Sequence, residues 1–385
     1  MQSLRAGSSS LASVRAGLII RRTMRVWVLA SVAIVGCGSP APMTERELGR
    51  AVFFDLELSE PAGQSCADCH AAELAFSDPE DERASAGIVP GRVGFRNSQT
   101  AMYASFAPPL RRDPATGRFT GGLFWDGRAN TLEEQAALPF VNPIEMNNPS
   151  KEHLVNKVRR SSYARGFRDV YGPDALADVD TAYANVTRAL GAFQRAPAFA
   201  PFSSRYDRHL AGAGTLSPQE LRGLAVFEDP ARGNCASCHP SRPGPDGSPP
   251  LFTDFSYANL GIPRWHNSMF LQLPPELNPD GERFIDRGLG KTTSDPRQDG
   301  KFRVPTLRNV ARTFPYGHNG YFRTLREMLE FLNSRAIEAC GASPEPRCIA
   351  PEVPANVEPW VGRLGLGRGD LDDLAAFLET LTDAP

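Results

Sequence analysis

Two pentapeptides of the form Cys-x-x-Cys-His, Cys66–His70 and Cys235–His239, constrain this 385-residue chain more than any other feature. The two thiols of such a motif add to the two vinyl groups of a haem, and the adjacent imidazole then reaches the iron. The competing chemistry for four cysteines is a zinc site. Such sites have a short gap between their cysteine pairs and require no histidine. His70 and His239 are therefore the expected proximal iron ligands. Cys66, Cys69, Cys235 and Cys238 are the expected attachment points of two covalently held haem c groups.

Each motif follows a helix-start signal. Thr44 with Glu47 lies ahead of Cys66, and Ser217 with Glu220 lies ahead of Cys235. A hydroxyl residue with an acid three positions later is a capping box. The segments that follow, Glu47-Leu48-Gly49-Arg50-Ala51-Val52-Phe53 and Glu220-Leu221-Arg222-Gly223-Leu224-Ala225-Val226-Phe227, resemble each other. The chain thus reads as two loose copies of one small helical haem unit. The motifs are much further apart than a minimal cytochrome c domain needs, which places insertions around the first haem. Further helices are predicted over 150–160, 179–195, 325–333 and 370–381. The last has Leu371, Leu374, Ala375 and Leu378 at helical spacing. No run alternates with period two. The expected fold is mainly α and loop-rich, with two cytochrome c-like haem domains, 43–205 and 206–385. Their junction is placed near Ala200–Leu216. The 34 Gly and 34 Pro are spread along the chain in turn-like motifs and indicate loops rather than disorder.

The N-terminus reads as a targeting segment over 1–36. Arg21, Arg22 and Arg25 precede the apolar run Val26–Val35, which ends at Gly36-Cys37. A basic start, a short apolar run and small residues before the cut make a signal peptide, with Met24 as a candidate start. A cysteine at that place resembles a lipobox, which implies cleavage before Cys37 and lipid on its sulfur. The alternative is an ordinary signal peptide with a chance cysteine. The run is too short to span a bilayer. The expected location is the periplasm, with membrane contact only through the lipid, on the outer membrane. A net charge of −2 provides no field that favours nucleic acid or an anionic membrane. Of seven cysteines, one is assigned to lipid and four to haem. Cys340 and Cys348 remain. They are expected to bridge in an oxidising compartment, with two free thiols as the alternative.

No histidine lies between His70 and His153 to cap the first haem from its other side. His153 belongs to a polar run with Lys151, Glu152, Asn156 and Lys157, and is expected at a solvated face. An iron with an open position binds peroxide or oxygen as well as carrying electrons. Peroxide cleavage then needs a group to move a proton between the two oxygens, and polar groups to hold the molecule. The stretch Phe124-Trp125-Asp126-Gly127-Arg128, Gln135 and Asn142-Pro143-Ile144-Glu145-Met146 supplies candidates. Taken alone, Gln135 and Glu145 would more often be surface residues. Glu145, however, lies in a Pro-flanked stretch with few other charges, which suits a buried carboxylate.

These same residues are similar to the first domain of the bacterial di-haem cytochrome c peroxidases and the related enzyme MauG. The second half agrees through Gly300-Lys301-Phe302-Arg303-Val304-Pro305-Thr306-Leu307-Arg308-Asn309-Val310, then Thr313, Pro315-Tyr316-Gly317-His318-Asn319-Gly320 and Thr324-Leu325. The resemblance runs from about Thr44 to Thr382. It implies that the first haem is peroxidatic, with Glu145 as acid and base and Gln135 beside it. It implies that Trp125 relays electrons between the haems; the plainer reading is a core aromatic. The second haem would accept electrons from a small c-type cytochrome or a copper protein and pass them inward to reduce hydrogen peroxide. It further implies a calcium ion held by the Asn97 side chain and by backbone oxygens of Thr313 and Pro315, hard donors that suit that ion.

Two departures stand out. Many of these peroxidases cap the resting first haem with a loop histidine, and the corresponding place here is Val89, which cannot ligate iron. The first haem is therefore expected to be permanently open. The second haem of the family takes Met, or Tyr in MauG-like members, where this chain has Leu332. Met328 lies one helical turn earlier on the same face and is the candidate ligand, with a core side chain as the equal alternative. Met269 is a weaker candidate. His318 is expected to have a structural or electron-transfer role near that haem. Three functions compete: peroxide reduction, MauG-like oxidation of residues on a partner protein, and simple electron carriage. Val89, Gln135 and Glu145 argue against the last.

Overall fold

The computed structural model describes residues 42–79, 83–335 and 350–384. The segment 1–36, Cys37, Cys340 and Cys348 lie outside these residues, and with them the lipid and disulfide expectations. The helices are α1 (Glu45–Phe53), α2 (Leu132–Val141), α3 (Lys151–Arg160), α4 (Ala164–Tyr171), α5 (Val179–Gln194), α6 (Arg205–Leu210), α7 (Pro218–Glu228), α8 (Leu289–Thr293), α9 (Leu325–Ser334) and α10 (Arg368–Glu379). Regular sheet among the described residues is confined to two antiparallel pairs of two-residue strands. β1 (Arg111–Arg112) pairs with β2 (Phe119–Thr120), and β3 (Tyr257–Ala258) with β4 (Phe302–Arg303). The mainly α expectation agrees with this.

The duplication visible in the sequence is also a duplication of packing. Both capping boxes form: Thr44 with Glu47 opens α1, and Ser217 with Glu220 opens α7. α1 packs on α5, and α7 packs on α10. Each crossing is closed by a glycine. A Cβ on Gly49 would lie 1.8 Å from the Ala189 carbonyl oxygen and 2.8 Å from the Phe193 Cβ. A Cβ on Gly223 would lie 2.0 Å from the Asp373 carbonyl oxygen and 2.8 Å from the Phe377 Cβ. Only a residue without a side chain lets the two backbones come that close.

Aromatic rings then repeat the same arrangement. Phe53 of α1 meets Phe193 at 5.3 Å and Phe76 at 6.0 Å, both edge-on. Phe227 of α7 meets Phe377 at 5.1 Å and Phe252 at 6.1 Å, again edge-on. Edge-to-face pairs of this kind are favoured by the ring quadrupole. Leu48, Val52, Val186 and Leu190 complete the first core; Val226, Leu371, Leu374 and Leu378 complete the second.

The predicted helices at 150–160, 179–195 and 325–333 match α3, α5 and α9 to within a residue at each end. The C-terminal helix begins and ends two residues earlier than predicted, opening at Gly367 with Asp370 three positions on. The helices α2, α4, α6 and α8 were not expected. α2 carries Pro139 near its end, which reads as a breaker although it removes only one late hydrogen bond. α4 has no side-chain cap at Tyr163. α6 and α8 are too short to show a period.

Candidate functional site

The two histidines are held in the same way. His70 Nδ1 lies 3.0 Å from the Phe76 carbonyl oxygen, and His239 Nδ1 lies 2.7 Å from the Phe252 carbonyl oxygen. A carbonyl only accepts, so Nδ1 carries the proton and Nε2 keeps its lone pair for a metal. Burial lowers the pKa of both imidazoles, keeping them neutral as a ligand must be; the accepting carbonyls pull the other way more weakly. Both phenylalanines adopt left-handed backbone, with φ of 53° at Phe76 and 52° at Phe252. That conformation is uncommon outside glycine and here turns each carbonyl onto an imidazole. Sequence reasoning missed these two residues. Their signal was the repeated Phe-Ser-Asp at 76–78 and Phe-Thr-Asp at 252–254.

Each motif opens on its own cavity. The first, about 220 Å³, is lined by Cys66, Cys69 and His70 together with Trp125, Gln135 and Glu145. The second, about 450 Å³, is lined by Cys235, Cys238 and His239 together with Trp125, His318, Met328 and Leu332. Burial pushes the Cys66, Cys69 and Cys235 thiols up to about 12 and raises Cys238 as well. The two cysteine pairs face different cavities. Among the described residues no group of three or more His, Cys, Asp and Glu side chains converges as a metal cage. The zinc alternative therefore has no site there. A thiol pair and a neutral, oriented imidazole in an apolar-walled slot fit a haem c in both places.

Glu145 and Gln135, far apart from His70 in sequence, thus reach the wall of the same cavity. Gln135 lies on α2, which Thr131 caps. Glu145 sits in the turn that follows α2, where its N–H donates to the Asn142 carbonyl at 3.0 Å. Burial raises the Glu145 pKa, while the charge of Arg128 and a hydrogen bond from Asn142 oppose the rise. The loop bearing Val89 is pinned to this turn. Ile88 N–H donates to the Glu145 carbonyl at 3.0 Å, and the Arg92 guanidinium donates to the Pro143 carbonyl at 2.8 Å. A Cβ on Gly87 would lie 1.8 Å from the Ile144 carbonyl oxygen.

Trp125 forms part of the wall of both cavities. Its indole N–H donates to the Asn97 carbonyl at 2.8 Å, and its own carbonyl accepts from Arg303 N–H at 2.8 Å. Arg303 also lines both cavities, and burial lowers its pKa. A buried cation in that position suits the carboxylates that a haem carries. Around the indole, Arg96 ties Asp126 at 2.8 Å to Asp286 at 2.6 Å, with both carboxylates buried. Neither Arg303 nor this triad was picked out as functional from sequence.

Asn97 touches one of the two expected calcium partners: its side-chain amide donates to the Pro315 carbonyl, while its N–H donates to the His318 carbonyl at 2.8 Å. Thr313 and Pro315 line the second cavity. His318 is buried and stacked on Phe302 at 3.6 Å, with Glu352 at 3.7 Å. Met328 and Leu332 both face the second cavity, whereas Met269 is 49% exposed and is not part of its wall. His153 pairs with Glu60 at 2.7 Å, away from the first cavity, as expected of a solvated face.

The profile of the di-haem cytochrome c peroxidase family matches residues 43–215. The methylamine utilization protein MauG of Paracoccus denitrificans is 38% identical over 357 residues, which span 89% of this chain and 90% of that protein. The chain belongs to the di-haem cytochrome c peroxidase family. As a member it is an oxidoreductase, and two haem c groups are its cofactors. A cytochrome-c peroxidase of Denitromonas iodatirespirans is 30% identical, covering 89% of this chain and 82% of its own length. The crystal structure of the diheme peroxidase BthA from Burkholderia thailandensis superposes with a TM-score of 0.75 at 37% identity, covering 88% of this chain and 86% of that one. Among the described residues no helix is long and apolar enough to cross a membrane.

Proposed function

We propose that this chain reduces hydrogen peroxide to two waters, with peroxide handled in the first cavity and electrons taken up at the second. The observation that carries this reading is that Glu145 and Gln135 line the cavity of His70, while Trp125 walls both cavities. A haem held at His70 would supply redox-active iron to the first cavity. Glu145 takes a proton from one peroxide oxygen and returns it to the other; burial raises its pKa and so strengthens it as a base. Gln135 donates a hydrogen bond that holds the substrate. Trp125 passes electrons from the second cavity to the first.

In this reading 43–205 is the peroxidatic part and 206–385 the electron-accepting part. The donor is a small c-type cytochrome or copper protein that docks near the second cavity. The pinning of the Val89 loop onto the Glu145 turn supports a first site that needs no prior reduction to open. Met328 is the proposed second ligand of the iron at His239. A calcium ion is proposed between the Asn97 side chain and the Thr313 and Pro315 carbonyls; all three residues line the second cavity. The proposed location is the periplasm, with a lipid on Cys37.

The identity with Paracoccus MauG favours a second reading, in which the oxidising equivalents act on residues of a partner protein. Leu332, at the place where such members carry tyrosine, weighs against it. Oxidised protein mixed with peroxide and reduced cytochrome c separates the readings. Peroxidase activity should consume two reduced cytochromes per peroxide without prior half-reduction. A long-lived oxidised state that cytochrome does not quench would favour partner oxidation. No response to peroxide would leave only an electron carrier.

A further inference from the structure

The first core contains a tyrosine with its own proton acceptor, and the peroxide chemistry above makes no use of it. Tyr163, the residue before α4, donates its phenol hydrogen to the Asp55 carboxylate. The other oxygen of Asp55 accepts from Glu57 N–H at 2.9 Å, so the carboxylate is fixed in place. Tyr163 and Cys66 pack against the same core. Burial pushes the phenol pKa up, and the hydrogen bond to Asp55 and the charge of that carboxylate push it further. The phenol therefore stays protonated in the resting protein.

Two turns along α4 the arrangement recurs. Tyr171 donates to Glu45 at 2.9 Å. Phe167 lies between the two phenols, with ring centroids at 6.2 Å from Tyr163 and 6.0 Å from Tyr171. A phenol gives up an electron readily only when its proton can leave at the same time, since the protonated radical is a strong acid. A carboxylate already hydrogen-bonded to the hydroxyl provides that path without any rearrangement. Tyr103 makes a similar bond to Asp383 at 2.7 Å, but the setting differs. Asp383 also accepts from Asn309 and Ser203, and the Arg308 guanidinium lies 4.9 Å from the Tyr103 ring. Those donors weaken the base; the cation alone does not set the two apart, since Arg188 lies 4.9 Å from the Tyr171 ring and 3.6 Å from Glu45.

We propose that Tyr163, with Asp55 as proton acceptor, is an oxidisable site that serves the first cavity, and that Tyr171 with Glu45 is its outlet to the surface. The inference rests on the peroxidase reading, which supplies the oxidant. When peroxide is present and donor protein is absent, one electron leaves the Tyr163 phenol for the oxidised centre of the first cavity. Its proton crosses to Asp55. Tyr171 then gives one electron to the Tyr163 radical, with its proton passing to Glu45 and the Asp55 proton returning to Tyr163. A one-electron reductant in solution, such as ascorbate, restores Tyr171, and Glu45 gives back the proton. The route discharges oxidising equivalents that would otherwise damage the protein.

Freeze-quenched paramagnetic resonance tests this on oxidised holoenzyme given one equivalent of peroxide and no donor. Wild-type protein should yield a tyrosyl radical. Tyr163→Phe should lower its yield at least several-fold. Asp55→Asn, which can still cap Glu57, should do the same. Tyr171→Phe should lengthen the life of the Tyr163 radical, and Tyr103→Phe should leave the signal unchanged. Matching haem absorption and circular dichroism in each variant confirm folding. An undiminished radical in Tyr163→Phe overturns the inference, as does a change in haem absorption with no tyrosyl signal in wild type. No change in haem absorption overturns the peroxidase reading itself, and this inference with it.

Discussion

Replacing Glu145 by Gln changes one proton and almost no volume, so its effects on rate and on stability separate cleanly. Glutamine keeps the length of the side chain and a polar end, but it cannot shuttle a proton at neutral pH. General acid–base catalysis by one positioned group contributes about 10²–10⁴-fold, which is roughly 3–5 kcal/mol of barrier. We expect kcat for peroxide reduction to fall within that range, with KM for the donor cytochrome unchanged. Stability should move in the opposite direction. Burial raises the Glu145 pKa in the folded protein, so the folded state holds its proton to higher pH than the unfolded chain. Stability contributed by this group therefore declines as pH rises from the unfolded value toward the folded one, and it stays lowered above that window. At neutral pH the neutral glutamine removes this penalty, and the variant should melt at the same temperature as wild type or higher. The acid limb of the wild-type rate profile should lie above the range of an ordinary glutamate and should vanish in the variant. Stopped-flow peroxide kinetics from pH 4 to 8 and differential scanning calorimetry measure both effects. A variant that keeps wild-type kcat would refute the assignment. Loss of activity with a matching loss of stability would instead make Glu145 a structural residue.

Other perturbations are as specific. Gly223→Ala places a Cβ 2.0 Å from the Asp373 carbonyl and must push α7 off α10; a loss of about 1–3 kcal/mol is expected from chemical denaturation. Trp125→Phe removes the indole donor to Asn97 and should slow electron transfer between the cavities, seen as fast oxidation of the first site with delayed oxidation of the second. Met328→Leu should change the spectrum and potential of the second haem; an unchanged spectrum would remove Met328 as its ligand. Oxidised wild-type protein should show one haem without two strong axial ligands, and a spectrum with both haems in bis-histidine form would contradict an open first site.

The sequence was most informative where a function is local. Both Cys-x-x-Cys-His motifs and both capping boxes are contiguous segments, and a helix start or a thioether link depends only on nearby residues. The internal repeat was legible for the same reason, and the paired glycine crossings at Gly49 and Gly223 give it a structural counterpart. α2 was missed because Pro139 is a strong local signal against a helix that tertiary packing overrides. The roles of Phe76 and Phe252 were missed because they reside in backbone carbonyls, which carry no side-chain signature.

By itself, the sequence determined which residues can hold a haem, where the capped helix ahead of each motif starts and that the plan is used twice. It did so because covalent attachment and capping are short-range chemistry. Only the tertiary structure decided which distant residues share a cavity with each motif. Glu145 and Gln135 reach the cavity of His70, Trp125 and Arg303 stand in both walls, and Leu332 and Met328 face the other side of the pair. Those placements depend on contacts between segments far apart in the chain. They are set by how the apolar faces of the helices pack, which no local spacing encodes.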